Sequence, residues 1–137
     1  MRTALFVALL LAFPAFCAAD EKEDEGKADQ EKVEKAKETR ALVQTLDLLK
    51  ACEAFKINPA NEDFRYPLTL LNLKKPPFGG VSYISDEKDL LDPWGKPFHY
   101  GVAEDEKGNV KAYIWSERKV DGKTKVIGTK LPEPKKK

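Results

Sequence analysis

Between Asp20 and Arg40 the chain carries nine acidic and six basic side chains, so fifteen of twenty-one positions are ionic. Ala28, Val33 and Ala36 are the only hydrophobes there. A stretch that charged cannot bury enough apolar surface to offset the entropy of ordering it. The core must therefore come from residues 41–129 of the 137. That length supports one modest core, burying about 60–65% of the unfolded surface, and no second domain. Glu23–Lys27 and Glu31–Lys35 stand at i, i+4 in the favourable order. From about Lys27 the ionic stretch thus reads as a solvated extension of the helix that follows, and before Gly26 as a disordered spacer.

The residues ahead of it read as an export signal. Met1-Arg2-Thr3 is a short positive start, and Ala4–Phe16 is an apolar run that includes Pro14. A run of that length rises about 20 Å as a helix, short of a ~30 Å hydrocarbon core. Small residues in Cys17-Ala18-Ala19 place cleavage before Asp20. Lipidation at Cys17 is disfavoured by the bulky Phe16 before it. The expectation is an extracytoplasmic protein, periplasmic or secreted, with no stable membrane span after cleavage. Cys52 is then the sole thiol, expected to be buried, and no intrachain disulfide is possible. The formal net charge is +1, and losing Arg2 with the signal brings it to zero. A neutral chain does not advertise nucleic acid or an anionic membrane as partner.

Residues 41–57 form the clearest element. Leu42, Leu46 and Leu49 fall at i, i+4, i+7, and Leu48, Cys52 and Phe55 repeat that spacing beside them. This predicts an amphipathic helix with a wide apolar face, packed on a sheet. Asn58-Pro59 ends it, because proline pushes the preceding residue out of the α region. Asn58–Asp89 is connecting structure, with a short helix at Leu68–Leu73 and a further helical turn at 86–91. The last third is β. Pro97–Ala103 alternates with Phe98, Tyr100 and Val102 on one face. Val110–Ser116 puts Val110, Ala112 and Ile114 on one face and Lys111, Tyr113 and Trp115 on the other. Gly108-Asn109 joins them as a hairpin, and Asp121-Gly122 turns into a third strand, Thr124–Gly128. The fold class is α+β: one long N-terminal helix on a small antiparallel sheet. The organisation is signal peptide 1–19, charged spacer or helix extension 20–40, α+β domain 41–129 and a Lys/Pro-rich tail 130–137.

The most informative stretch is Asp92-Pro93-Trp94-Gly95-Lys96-Pro97-Phe98-His99-Tyr100. Proline and glycine bracket an aromatic at a tight corner that runs straight into a strand, with Trp94 expected to plug the end of the core. Arg65-Tyr66-Pro67 stands after the helix, and Ser116 is followed by Asp121-Gly122. In these motifs and their order the chain resembles the C-terminal domain of the type II secretion major pseudopilin, protein G, across about residues 28–128. The resemblance implies a pilin-like globular domain and protein partners in a secretion or pilus-like assembly. The N-terminal half departs from that family: in place of a long polymerising apolar helix stands the ionic Asp20–Arg40. A pseudopilin-like globular half without the assembling half is the expectation.

The resemblance also implies calcium in the last loop, with Ser116 and Asp121 as oxygen ligands. Calcium takes six to eight oxygens, yet Arg118, Lys119 and Lys123 crowd that loop with positive charge. An ordinary Asp-Gly hairpin turn is the competing reading, and no other cofactor is expected. His99 is the only histidine. Ser82, Ser85 and Ser116 sit in no strained elbow, and Glu62-Asp63 and Asp89/Asp92 lack a pocket motif that separates carboxylate pKa values. Enzymatic activity is not expected. Tyr113 and Trp115 form a contact surface if their sheet face is open, and core if the helix or the long loop covers it. The functional expectation is an exported, non-enzymatic protein working through protein contacts. The alternative is a stand-alone extracytoplasmic binding module reusing the pilin-like fold.

Overall fold

A computed structural model describes residues 20–133, with side chains from Gly26 onward. The expected signal segment, residues 1–19 with Cys17, and tail residues 134–137 lie outside the described residues. The chain divides into two units at Lys32 and Val33. In the first, residues 20–32 are helical and their described side chains are exposed. The packing and the sites described below are those of the second.

Helix α1 spans Asp20–Lys56. It starts before Gly26, where the sequence pointed to a disordered spacer. Glu, Lys, Asp, Gln and Ala extend a helix at little cost, and one glycine costs only about 1 kcal/mol. Once the downstream turns are anchored the nucleation cost has been met, so a solvated extension propagates. After a long connection holding 3-10 turns at Leu70–Leu73 and Glu87–Leu90 come β1 (His99–Glu104), β2 (Val110–Val120) and β3 (Lys123–Gly128). They form one antiparallel sheet in the order β1-β2-β3. The fold is α+β, one long helix packed on three antiparallel strands.

The helix faces the sheet chiefly with one of its two apolar rows, joined by Leu49 of the other. Ala41, Thr45, Leu48, Cys52 and Phe55 are buried. Leu42 and Leu46 remain 46% and 50% exposed, against the wide inward face expected from spacing. The reason is the width of the sheet. Three strands span about 10 Å between their outer axes, room for one row of knobs along a helix. The core joins Leu48, Cys52 and Phe55 to Tyr66, Leu70, Leu73, Phe98 and Ile114. The connection closes its far end, with the rings of Phe78 and Tyr83 at 4.9 and 5.8 Å from that of Phe55. Asn61, buried, donates its side-chain amide to the carbonyls of Phe55, Lys56 and Arg65. It thereby satisfies carbonyls that the helix end leaves without partners.

Cys52 is a free, buried cysteine, and desolvation, with Glu53 adding to it, pushes its thiol up from 9.0 to about 12. The thiolate is the reactive form. In the folded protein Cys52 is therefore expected to stay unmodified by a thiol-specific disulfide reagent at neutral pH, and to react at once in denaturant. Because the folded pKa is the higher one, its contribution to stability is full below pH 9.0 and is lost as pH rises toward about 12. Rapid labelling under native conditions defeats this assignment.

β2 runs on to Val120, past the predicted end at Ser116, because the Asp121-Gly122 turn pairs Val120 with Lys123. Both turn residues have positive φ, 50° and 74°, the two-residue geometry that matches strand twist.

Candidate functional site

The Asp92–Tyr100 corner is organised by one carboxylate. Asp92 is buried, and its Oδ1 accepts the backbone N–H groups of Trp94 (3.0 Å) and Lys96 (2.9 Å). Its Oδ2 accepts the buried Ser116 hydroxyl from β2. The backbone N–H of Asp92 donates to the Lys96 carbonyl at 2.7 Å, and Gly95 donates back to the Asp92 carbonyl at 2.9 Å. Gly95, at φ 79°, takes the left-handed step that lets the loop close. Pro97 bridges to Leu91, and Phe98 enters the core. Pro93 is half-buried and Pro97 exposed. The motif is thus an aspartate-pinned corner whose last turn aims β1.

Trp94 does not plug the core. It is half-buried and lies outside the apolar cluster, with its indole N–H donating to Glu34 at 3.0 Å. The Arg118 guanidinium lies 4.8 Å from its ring centre. Arg118 also pairs with Glu34 at 2.6 Å and Glu38 at 3.4 Å, and Lys125 reaches Glu38 at 2.7 Å. The indole amphipathicity decides this placement: ring under a cation, N–H to a carboxylate. That hydrogen bond, with Lys37 and Arg118 nearby, holds the Glu34 carboxyl below its ordinary range. Glu34, Trp94, Lys96, His99, Glu117 and Arg118 line an open cavity of about 720 Å³. Glu34 and Glu38 carried no signal in the sequence, being helix-surface acids some 60–90 positions from their partners, as the Trp94 and Lys125 bonds record separations of 60 and 87.

The Arg65-Tyr66-Pro67 stretch is divided. Arg65 is exposed, with Asp63 at 3.8 Å. Tyr66 is buried, donates its hydroxyl to Glu53, and carries the Lys56 ammonium 4.5 Å above its ring. Pro67 is fully buried, and its carbonyl accepts the Tyr100 hydroxyl at 2.6 Å. Tyr66 and Tyr100 therefore tie the connection to the helix and to β1. Burial raises the pKa of both phenols. Beside them a second cavity, of about 780 Å³, runs along β1 between Phe64, Leu68, Val102 and Val110.

Ser116 and Asp121 are not brought together. Ser116 is buried and donates to Asp92, whereas Asp121 is exposed at the tip of the hairpin, about 16 Å along the strand by its rise per residue. The pair cannot share a calcium ion, so the implied ligand set does not fit. Among the described residues no three His, Cys, Asp or Glu converge as a metal site requires. The acidic Glu104-Asp105-Glu106 run is a loop device: Asp105 accepts the N–H groups of Lys107 and Asn109 and pairs with Lys111 at 2.9 Å.

The Tyr113/Trp115 face is not an open aromatic surface. Trp115 is only 8% exposed, stacked on His99 at 5.3 Å with its indole N–H on Glu117. Tyr113 is half-buried. The cover is neither helix nor the long connection: the C-terminal strap crosses this face, Leu131 lying over Gly101 so closely that a Cβ there would collide with it. Lys130 adds an ion pair to Glu117 at 3.5 Å. Alternation located these side chains correctly on one face, but a tail with no periodicity covers them.

No helix among the described residues is long and apolar enough to cross a membrane. No family model, curated protein or solved structure matches this chain.

Proposed function

We propose that the chain is an exported, non-enzymatic protein that works through protein contacts, its globular part resembling the C-terminal domain of type II secretion protein G. In this reading it is released as a soluble protein and serves as an accessory of a secretion or pseudopilus-like system. The observation that carries it is the unburied apolar row of α1: Leu42 and Leu46, with Val43 at 51% exposure beside them. Large apolar side chains grouped on one surface mark contact sites more often than scattered ones do. The α+β fold and the aspartate-pinned corner are consistent with the resemblance. The alternative is a stand-alone extracytoplasmic binding module. It draws on the 720 Å³ cavity, lined in part by the Trp94 ring and by Arg118, which lies over that ring.

Intact mass and fractionation in the native host test export: a soluble species beginning at Asp20 is expected, and an uncut or lipidated membrane species overturns it. Cross-linking to envelope secretion components tests the role. Leu42→Glu with Leu46→Glu is expected to abolish that cross-linking while leaving the circular dichroism spectrum and melting temperature near wild type. Unchanged cross-linking sinks the helix-face reading. Loss of a small-molecule ligand on Trp94→Ala, with no protein cross-linked, favours the binding module.

A further inference from the structure

We propose that the 780 Å³ cavity beside Tyr66 binds a free single-chain fatty carboxylate, its alkyl chain against Phe64, Leu68, Val102 and Val110 and its head group toward Lys56 and Arg65. The cavity shares no lining residue with the 720 Å³ cavity and includes neither Leu42 nor Leu46. It therefore goes beyond the contact reading and stands apart from it.

The core face of the β1–β2 hairpin continues past the core. Val102 lies two residues beyond Tyr100, and Val110 two before Ala112, so alternation puts all four on the face that carries the buried Ile114. The Tyr100 hydroxyl reaches the Pro67 carbonyl, which turns that face toward the connection. Val102 and Val110 nevertheless remain 42% and 46% exposed. The helix has ended at Lys56, and the cavity lies between these valines and residues 64–68.

The opposite wall holds apolar side chains outward from an anchored chain. Pro67 and Leu70 are buried, yet Leu68 between them is 90% exposed. Phe64 stands at φ 49°, a strained position for a bulky side chain. Such strain persists where neighbours enforce it, and it gathers at ligand sites. Here Asn61 enforces it: its carbonyl accepts the Phe64 N–H at 2.9 Å, and its buried amide holds the Arg65 carbonyl at 2.8 Å.

The polar groups decide the class of ligand. The Tyr66 and Tyr100 hydroxyls are donated to Glu53 and to the Pro67 carbonyl, and the backbone N–H and side-chain amide of Asn109 are donated to Asp105. Among the lining side chains this leaves Lys56 and Arg65 as the donors open to a ligand. A sugar or a peptide would set several hydroxyls or amides against carbon, whereas an alkyl chain with one anionic end sets none. Lys56 lies over the Tyr66 ring and forms no ion pair among the described residues. Arg65 has Asp63 at 3.8 Å, both exposed, a pairing of little strength. The three groups together carry one net positive charge, which matches a carboxylate better than a phosphate dianion.

Isothermal titration of the native chain with dodecanoate, below its micelle concentration and at neutral pH, tests this. One saturable site per chain is expected, with shifts of the Val102 and Val110 methyl resonances. Leu68→Ser, at an exposed position, is expected to weaken binding about tenfold, the scale of one leucine's burial. The wild type is expected to prefer dodecanoate to dodecyltrimethylammonium, and Lys56→Glu with Arg65→Glu to reverse that preference, a switch that loss of folding cannot mimic. Uptake without saturation, equal uptake of both amphiphiles by the wild type, or binding indifferent to Leu68→Ser overturns the proposal. So does retention on anionic phospholipid vesicles with no uptake of monomeric dodecanoate, which would make the cavity a membrane contact. Leu42→Glu with Leu46→Glu is expected to leave dodecanoate binding unchanged. A chain that cross-links to secretion components through Leu42 and Leu46 but takes up no dodecanoate overturns this inference alone and leaves the contact reading standing.

Discussion

Asp92→Ala is expected to remove about 3–5 kcal/mol of folding stability, which for a domain of this size is a large share of the total. The estimate follows from what the carboxylate holds. Two backbone N–H groups and one buried hydroxyl lose their acceptor together, and hydrogen bonds to a charged group are worth about 1.5–3 kcal/mol each when one partner is deleted. They share one anchor, so their losses do not simply add. Water entering at the edge of the corner restores part of the loss at Trp94 and Lys96, but Ser116, on β2, is buried. Asp92→Asn isolates the hydroxyl's share. Its amide oxygen still accepts from Trp94 and Lys96, while its NH₂ meets Ser116, whose hydroxyl must then rotate to accept. A loss of about 1–2 kcal/mol is expected for Asn, close to the cost of a single weakened buried bond. Urea denaturation reads both, through the midpoint at constant slope. If Asp92→Ala costs under about 1 kcal/mol, the corner is not held by its carboxylate.

Gly128→Ala is expected to be as damaging, for a reason with no hydrogen bond in it. Gly128 sits at φ 102°, and a Cβ there would lie 2.5 Å from the Ile114 carbonyl oxygen and 3.0 Å from the Thr45 methyl. The conformation alone costs an L-residue about 1–3 kcal/mol. The contact adds more, because the Ile114 carbonyl is fixed by the Thr129 N–H at 3.0 Å and cannot yield without opening β3 from β2. A total of about 3–5 kcal/mol is expected, in the range of overpacking combined with backbone strain. Gly95→Ala is the control. At φ 79° with nothing within 4 Å of the added carbon, it should show the conformational cost alone, about 1–2 kcal/mol. Equal losses at the two positions would mean that the approach of Gly128 to β2 and α1 contributes nothing.

Gly128 also shows where local reading stops. It closes a short strand pattern and looks like turn punctuation. Its constraint comes from Ile114 and Thr45, distant residues brought within reach by the register of β3 on β2 and by the seat of α1 on the sheet. Thr45 itself is a polar residue between two leucine rows. It is buried at 1% exposure with its hydroxyl donating to the Leu42 carbonyl at 2.7 Å. Spacing pointed to one wide inward face holding both rows, whereas the structure leaves Leu42 and Leu46 outside and turns Ala41 and Thr45 inward beside Leu48, Cys52 and Phe55. A helix with two apolar rows leaves its rotation open within several tens of degrees, and only the width and composition of what it packs on selects one.

What the sequence determined by itself was everything governed by local period and turn chemistry. The helix, the three alternating strands, the Asp-Gly reversal and the order of elements follow from spacings of two and of three to four residues, because backbone hydrogen bonding permits few other periods. The ionic stretch likewise excluded itself from the core through desolvation cost alone. Only the tertiary structure decided which partners met across long separations. Asp92 found Ser116, Trp94 found Glu34 and Arg118, and Leu131 folded over Gly101. Those contacts separate Ser116 from Asp121 and cover Trp115. Their positions depend on sheet width, register and the path of a tail without periodicity, which are properties of the packed chain and of no segment within it.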